Sequence, residues 1–156
     1  MKPVEVSTVI RRPIAEVYAH LDVLANHEAF TDHMLIDWSA SGPDRGVGAK
    51  VRVYSKAGGR KVPVDIEVIE ADAPVRNVER NVSAGGKRVG RGTYELTALA
   101  TGGTRVSFTY SWDRAPLTDR ALAPLVRAIL RRGNQRAMER LAEQLAARAP
   151  SAAAAA

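Results

Sequence analysis

Three Gly-Gly pairs punctuate the middle of this 156-residue chain: Gly58-Gly59, Gly85-Gly86 and Gly102-Gly103. Glycine reaches positive φ at no steric cost, so each pair marks a tight turn between extended segments. Ser41-Gly42-Pro43-Asp44-Arg45-Gly46 and Asp72-Ala73-Pro74 add two further turns. Turns so closely spaced between about residues 34 and 113 require six consecutive strands joined as hairpins. That is an antiparallel meander and excludes a βαβ fold.

The residue periods agree. Val62, Val64, Ile66 and Val68 alternate with Lys61, Asp65 and Glu67, and Val106, Phe108, Tyr110 and Trp112 alternate with Arg105, Ser107, Thr109 and Ser111. A period of two means one buried face and one wet face. The run Val4–Ile10 supplies a seventh strand. Two short helices are expected after it. Pro13 suits a first helical turn ahead of Ile14, Val17, Tyr18 and Leu21, and a second helix or turn covers Asn26 to Asp32. A long helix from Pro124 to Ala147 follows the sheet region, rich in Ala, Leu, Arg and Glu. Its apolar stripe shifts from Leu122, Leu125, Val126 and Ile129 to Met138, Leu141 and Leu145. Gly133-Asn134 sits at the change, where a bend and a straight helix with a wide apolar face are both open. The expected fold class is α+β: a curved seven-stranded antiparallel sheet wrapped around a long C-terminal helix. Residues 1–148 are expected to form one domain, and 149–156 a flexible tail. One helix cannot fill a strongly curled sheet, so a cavity is expected between them, and apolar concavities are default ligand sites.

Several chemistries are excluded. There is no cysteine, which removes disulfides, thiolate catalysis and thiolate metal sites. No G-x-S-x-G elbow exists, so a serine hydrolase is unsupported. The three histidines, His20, His27 and His33, form no H-E-x-x-H pattern, and neither a metal nor a cofactor is expected. His27, Glu28, Asp32 and His33 do gather ligand-type side chains in one segment, whose plain reading is a solvated loop. Gly46-Val47-Gly48 and Gly90-Arg91-Gly92 do not extend into a phosphate cradle; the second pair is better read as relief of crowding in a curved strand. The longest stretch free of Asp, Glu, Lys and Arg is Leu96–Thr104, too short to span a bilayer. The N-terminus has no signal-peptide core, so a cytoplasmic location is expected, without stable membrane insertion. Residues 114–148 carry eight arginines against Asp119, Glu139 and Glu143, most of the chain's net charge of +6. No aromatics interleave them, so nucleic acid is not expected as a partner. A solvated face and a dock for an acidic carrier protein remain as readings, and a homodimer is left open.

Two sets of residues point towards ligand chemistry. Trp38, Tyr94, Phe108, Tyr110 and Trp112 lie on expected strands, three of them on one apolar face. They are either plain core or a pocket wall presenting Tyr hydroxyls and Trp N–H groups. Val78, Arg80 and Val82 share one parity. If the valines face inward so does Arg80, and a buried guanidinium needs an acceptor; at an edge or bulge it points out instead.

The chain resembles the START/Bet v 1-like superfamily (SRPBCC), in particular its polyketide cyclase/dehydrase and lipid-transport branch. The likeness rests on Ile10-Arg11-Arg12-Pro13-Ile14-Ala15-Glu16-Val17-Tyr18, Gly90-Arg91-Gly92-Thr93-Tyr94-Glu95-Leu96-Thr97 and Gly102-Gly103-Thr104-Arg105-Val106-Ser107-Phe108-Thr109-Tyr110. It covers about residues 3 to 147 and implies the helix-grip fold with a pocket for a hydrophobic or aromatic small molecule. It implies no shared catalytic motif. The lining set expected for that pocket is Trp38, Val64, Ile66, Arg80, Tyr94, Phe108, Tyr110, Trp112, Val126 and Ile129. Cyclases of this branch hold a poly-β-carbonyl chain with cavity Arg and Tyr groups. The resemblance therefore makes Arg80, Tyr94 and Tyr110 candidates for enolate stabilisation, with His33 or Asp32 as a proton shuttle. A non-catalytic lipid or quinone carrier is the alternative, needing only the apolar wall; a protein-interaction module using the basic helix is a third.

Overall fold

The computed structural model describes residues 1–57 and 59–148. Gly58 and the expected tail, 149–156, lie outside the described residues. The chain runs β1 (Val4–Ile10), α1 (Ile14–Leu21), a 3-10 turn (Leu24–His27), α2 (Glu28–Thr31), β2 (Leu35–Ser41), β3 (Lys50–Ala57), β4 (Arg60–Asp72), β5 (Arg76–Ser83), β6 (Arg88–Ala98), β7 (Thr104–Arg114), α3 (Leu117–Ala121) and α4 (Ala123–Ala147). The strands form one antiparallel sheet in the order β1-β7-β6-β5-β4-β3-β2. The meander from β2 to β7 is thus as the turn residues require, and β1 closes on β7, with Val4 opposite Tyr110 and Ile10 opposite Thr104. This is the helix-grip architecture.

Register decides which side chains face the helix. One inner row crosses the sheet as Val68, Glu79, Gly92, Tyr110 and Val4, and the next as Ile66, Asn81, Gly90 and Trp112. The outer row between them is Glu67, Arg80, Arg91 and Ser111. Pairing slips between Val68 and Glu70 on β4, a bulge that leaves Ile69 unpaired with β5.

Helix α4 is continuous through Gly133-Asn134. Its two halves meet different surroundings. Asn134, Ala137, Met138, Leu141 and Leu145 are buried, at the spacing of a single helical stripe. The last four pack with Val6, Ile10, Val17, Leu21, Phe30, Leu96 and Val106 in the main core. Arg12 fastens this end, its Nε donating to the carbonyl of Leu145 at 3.0 Å, where the helix terminus favours a cation. In the N-terminal half no residue from 120 to 133 is buried. Leu122, Leu125 and Ile129 are exposed there. A smaller core of Leu24, Ala49, Val51, Val53, Ile66 and Val68 holds the β3–β4 side of the sheet.

The two halves should respond differently to truncation. Leu141→Ala removes a side chain that is 0% exposed and should cost about 2–5 kcal/mol in urea unfolding. Leu125→Ala, at 56% exposure, should stay within about 0.5 kcal/mol.

Candidate functional site

Where α4 loses contact with the sheet, a cavity of about 600 Å³ opens between them. It falls in the size range of small-molecule pockets. Tyr94, Phe108, Tyr110 and Trp112 form an aromatic ladder along it, with ring centroids 4.7 Å apart for Tyr94–Phe108 and 5.1 Å for Tyr110–Trp112. Trp38, Val64 and Ile66 line it from β2 and β4, and Val126, Ile129 and Leu130 from α4. Lys56, Arg132 and Arg136 stand at its rim as exposed cations.

Glycine makes the space. A Cβ on Gly90 would sit 2.4 Å from the Tyr110 hydroxyl oxygen, and one on Gly92 would sit 2.9 Å from the Phe108 ring. Both glycines lie on the inner face of β6, so the aromatic rings of β7 lean across them. Their role is to admit those rings, which is more specific than the relief of curvature read from the sequence.

Nine of the ten residues in the expected lining set reach the cavity. Arg80 does not, and this corrects the inward assignment. It is exposed, in the outer row between Glu67 and Arg91. The valines misled because β5 presents its polar parity to the cavity: Glu79, Asn81 and Ser83 line it, while Val78 and Val82 share the opposite face with Arg80. A cavity that holds polar groups does not obey the alternation of a dry core.

The shuttle candidates are also repositioned. Asp32 is outside the cavity, in a polar groove with Arg136, Glu139, Arg140 and Glu143. Its carboxylate is clamped by Arg140, whose Nη2 donates to Oδ2 at 3.1 Å, and this hydrogen bond holds the group below the usual carboxylate range. That is the wrong direction for a general base. His33 touches the cavity, but its Nε2 donates to the Gly133 carbonyl at 3.0 Å and its Nδ1 accepts from Arg140 Nη1 at 3.3 Å. With both nitrogens engaged, it clips the segment after α2 to α4. Tyr94 and Tyr110 do face the cavity; burial raises both hydroxyls, Tyr110 up to about 12, so they are neutral donors at pH 7.

Two residues escaped the sequence reading. His27, placed there in a solvated loop, is 3% exposed and lines the cavity. Its Nε2 donates to the Leu21 carbonyl at 2.8 Å, and its Nδ1 lies 3.2 Å from Glu79 Oε1. Glu79 is 5% exposed, and no donor is aligned on Oε1, so the close approach falls short of a full hydrogen bond. Burial pushes the Glu79 carboxyl up to about 8 and the His27 ring down to about 4. The carboxyl is therefore protonated and the ring neutral at pH 7. Two further donors at the cavity have no partner in the protein, Trp112 Nε1 and Asn134 Nδ2. The only sequence hint of Glu79 was an acid on a strand between two asparagines, which surface strands show as often. Among the described residues, no three His, Asp or Glu side chains are grouped to hold a metal ion, and no helix is long and apolar enough to cross a membrane.

Comparison with known proteins follows the same lines. Residues 1–149 match the family model described as polyketide cyclase / dehydrase and lipid transport. A solved structure of TTHA0849 from Thermus thermophilus is 23% identical with a TM-score of 0.76, covering 94% of this chain and 98% of that one. Ara h 8.0201 superposes with a TM-score of 0.67 at 13% identity, covering 94% of this chain and 99% of that one. DynU16, from the dynemicin biosynthetic locus, gives a TM-score of 0.65 at 22% identity; 94% of this chain matches 48% of that longer chain. At these identities the likeness shows the fold alone. No curated protein matches by sequence.

The buried pair makes stability depend on pH in a specific sense. Glu79 is raised from 4.5 to about 8 by burial, so it binds a proton in the folded state that the unfolded chain has lost. Stability from this group is full at low pH and declines as pH climbs towards 8. His27 and His20 are both lowered from 6.5 to about 4, by burial first and, for His20, by Arg148 next. Their contribution is present above 6.5 and lost as pH falls towards 4. Thermal or urea unfolding should therefore show stability rising to a maximum near pH 6.5 and falling from there to about 8. Glu79→Gln should flatten the upper limb and steepen the lower one above pH 4.5.

Proposed function

The chain belongs to the polyketide cyclase/dehydrase and lipid-transport family, and from that premise we propose that its cavity binds one hydrophobic, aromatic or polycyclic small molecule bearing oxygen acceptors, as a cyclase- or aromatase-type catalyst does. The observation that carries the reading is the combination of an aromatic-walled cavity of about 600 Å³ with unpartnered donors on Trp112 and Asn134. An unsatisfied buried donor costs about 1–3 kcal/mol, a cost a ligand oxygen in the cavity would offset; Asn77 and His20 carry unpartnered atoms outside it. Donors without internal partners suit a ligand's carbonyl or hydroxyl oxygen. The aromatic faces suit a flat apolar body, and holding a flexible chain folded against them is itself a catalytic contribution. Tyr94 and Tyr110 are the hydroxyls placed to steady a developing enolate oxygen.

A second reading, a carrier that loads and unloads an apolar cargo, draws on a different observation. Leu117, Leu122, Leu125 and Ile129 are exposed at 79%, 55%, 56% and 62%, and Ile129 also lines the cavity. An apolar lip suits the passage of cargo between the cavity and an acceptor surface.

Binding is tested with N-phenyl-1-naphthylamine, a neutral fluorophore that brightens in apolar surroundings. One molecule per chain should bind. Val64→Trp fills the cavity from β4 and should weaken binding by about tenfold or more, equivalent to roughly 1.4 kcal/mol. Val47→Trp, on an exposed loop outside the cavity, should not. Equal affinity in both variants would place the dye elsewhere and contradict the reading.

A further inference from the structure

Glu79 does not hold the fold in the way other buried polar groups here do, whereas His27 ties its turn to the end of α1 through the Leu21 carbonyl. Arg88 and Asp119, for comparison, make a bidentate pair, at 2.6 and 2.8 Å, that docks α3 on β6. Glu79 does nothing of the kind. Its one close partner is His27 Nδ1, and Oε1 is left without an aligned donor. Oε2 lies beside Gly92, 3.5 Å from where a Cβ would stand and next to the Phe108 ring that leans across that glycine, and Glu79 lines the cavity. The carboxyl is thus nine-tenths buried, incompletely bonded and open to the cavity. Burying a carboxyl on these terms is costly, and an apolar residue of similar size would remove the cost.

The ring opposite it has a defined tautomer. The Leu21 carbonyl can only accept, so His27 Nε2 carries a hydrogen, and in the neutral ring Nδ1 is a lone pair facing Glu79. A proton carried on Glu79 Oε1 then faces the Nδ1 lone pair across 3.2 Å. The 3-10 turn that carries His27 is held by its own bonds, including Thr31 Oγ1 donating to the His27 carbonyl at 2.7 Å. Tyr94 meets the ring edge-on, with centroids 5.6 Å apart, and Phe30 packs at 5.1 Å on another side. The pair is preorganised and buried.

We infer that Glu79 is a catalytic acid–base group for proton exchange at the carbon next to a carbonyl of the bound molecule, with His27 as the positioning residue that holds its second proton. The inference rests on the cavity being a ligand site, as proposed above, and adds to it a reacting group and a ligand class, an enolisable ketone. The step balances within the pair and the ligand. The Glu79 proton moves from Oε1 to His27 Nδ1, leaving a carboxylate beside an imidazolium. Glu79 Oε2 then takes a proton from the α-carbon. The C–H pair becomes the carbon–carbon double bond, and the carbonyl π pair moves onto oxygen, giving an enolate. The charges are −1 on the enolate and +1 on His27, and Glu79 is neutral again, so the total is unchanged and no co-reactant is needed. Reversal returns a proton, or in heavy water a deuteron, to the carbon. Trp112 N–H and Asn134 NH₂ are the unpartnered donors available to the oxygen.

The test uses 2-tetralone, a neutral bicyclic ketone with exchangeable α-hydrogens, in D₂O with the full-length protein, following deuterium uptake by proton NMR. Displacement of N-phenyl-1-naphthylamine reports its binding separately. Wild-type protein should accelerate exchange over buffer by about 100-fold or more, the usual range for a positioned acid–base group. Glu79→Gln should bind 2-tetralone within about threefold of wild type yet lose most of that acceleration. His27→Phe should lower the rate at saturating ketone with little change in the half-saturating concentration. It should also alter the infrared carbonyl band of the protonated Glu79 carboxyl, a signature that Glu79→Gln removes. If 2-tetralone binds the wild type but exchanges no faster than in buffer, or if Glu79→Gln exchanges as fast as wild type, the acid–base assignment is overturned while the ligand site stands. If 2-tetralone fails to displace the dye, this assignment falls alone. If the dye itself does not bind, both readings fall.

Discussion

The structure depends on how unevenly α4 is gripped. Its C-terminal half places Ala137, Met138, Leu141 and Leu145 into a core shared with β1, β6, β7, α1 and Phe30. At roughly 25 cal/mol per Å² of apolar surface removed from water, that stripe is what binds helix to sheet. The N-terminal half buries nothing between residues 120 and 133. A sheet of seven strands curls too wide for one helix to fill, and close packing is spent at one end of the concavity. The other end is left as a cavity. Helix, sheet and pocket are therefore one consequence of where the apolar stripe stops.

The cavity wall then follows from register. The row that contains Val4, Tyr110, Gly92, Glu79 and Val68 crosses five strands, and each member comes from a different turn-to-turn segment. A slip of one residue on β5 would exchange Glu79 for Arg80 and reverse the charge of the site. Gly90 and Gly92 set the depth at which the β7 rings lie. What results is a surface mostly aromatic and aliphatic, with neutral donors inside, exposed cations at the rim and one half-buried cation, Arg88, held by Asp119. Such a surface is what the proposed flat, largely apolar, oxygen-bearing ligand would require; the family to which the chain belongs is described as polyketide cyclase / dehydrase and lipid transport.

Much of this architecture could be read from local chemistry. Gly-Gly pairs and proline turns have specific backbone demands, so the strands between them and the long helix, expected from Pro124 and found from Ala123, were legible; the closing of β1 onto β7 was not among the readings. The aromatic ladder was legible too, because Phe108, Tyr110 and Trp112 share a parity on one long strand. The polar half of the site was not. Arg80 was placed inward on the assumption that valine marks the inner face, which holds where a sheet meets dry packing but fails on β5, where the inner face meets a cavity. His27 lies in a stretch whose composition is that of a solvated turn, and only the tertiary fold brings it within 3.2 Å of Glu79. The two are 52 residues apart in sequence, by subtraction of their positions. No spacing rule links them. Asp32 and His33, nearby in sequence, are instead drawn to Arg140 on the outer side of α4.

The central claim is that the space between sheet and helix is a ligand site. Native mass spectrometry of the freshly purified protein, followed by denaturation and identification of whatever is released, addresses it most directly. The account predicts a complex of one chain with one small apolar or polycyclic oxygen-bearing compound, present as isolated or formed on incubation with a panel of such compounds. A bare protein mass under both conditions would contradict it.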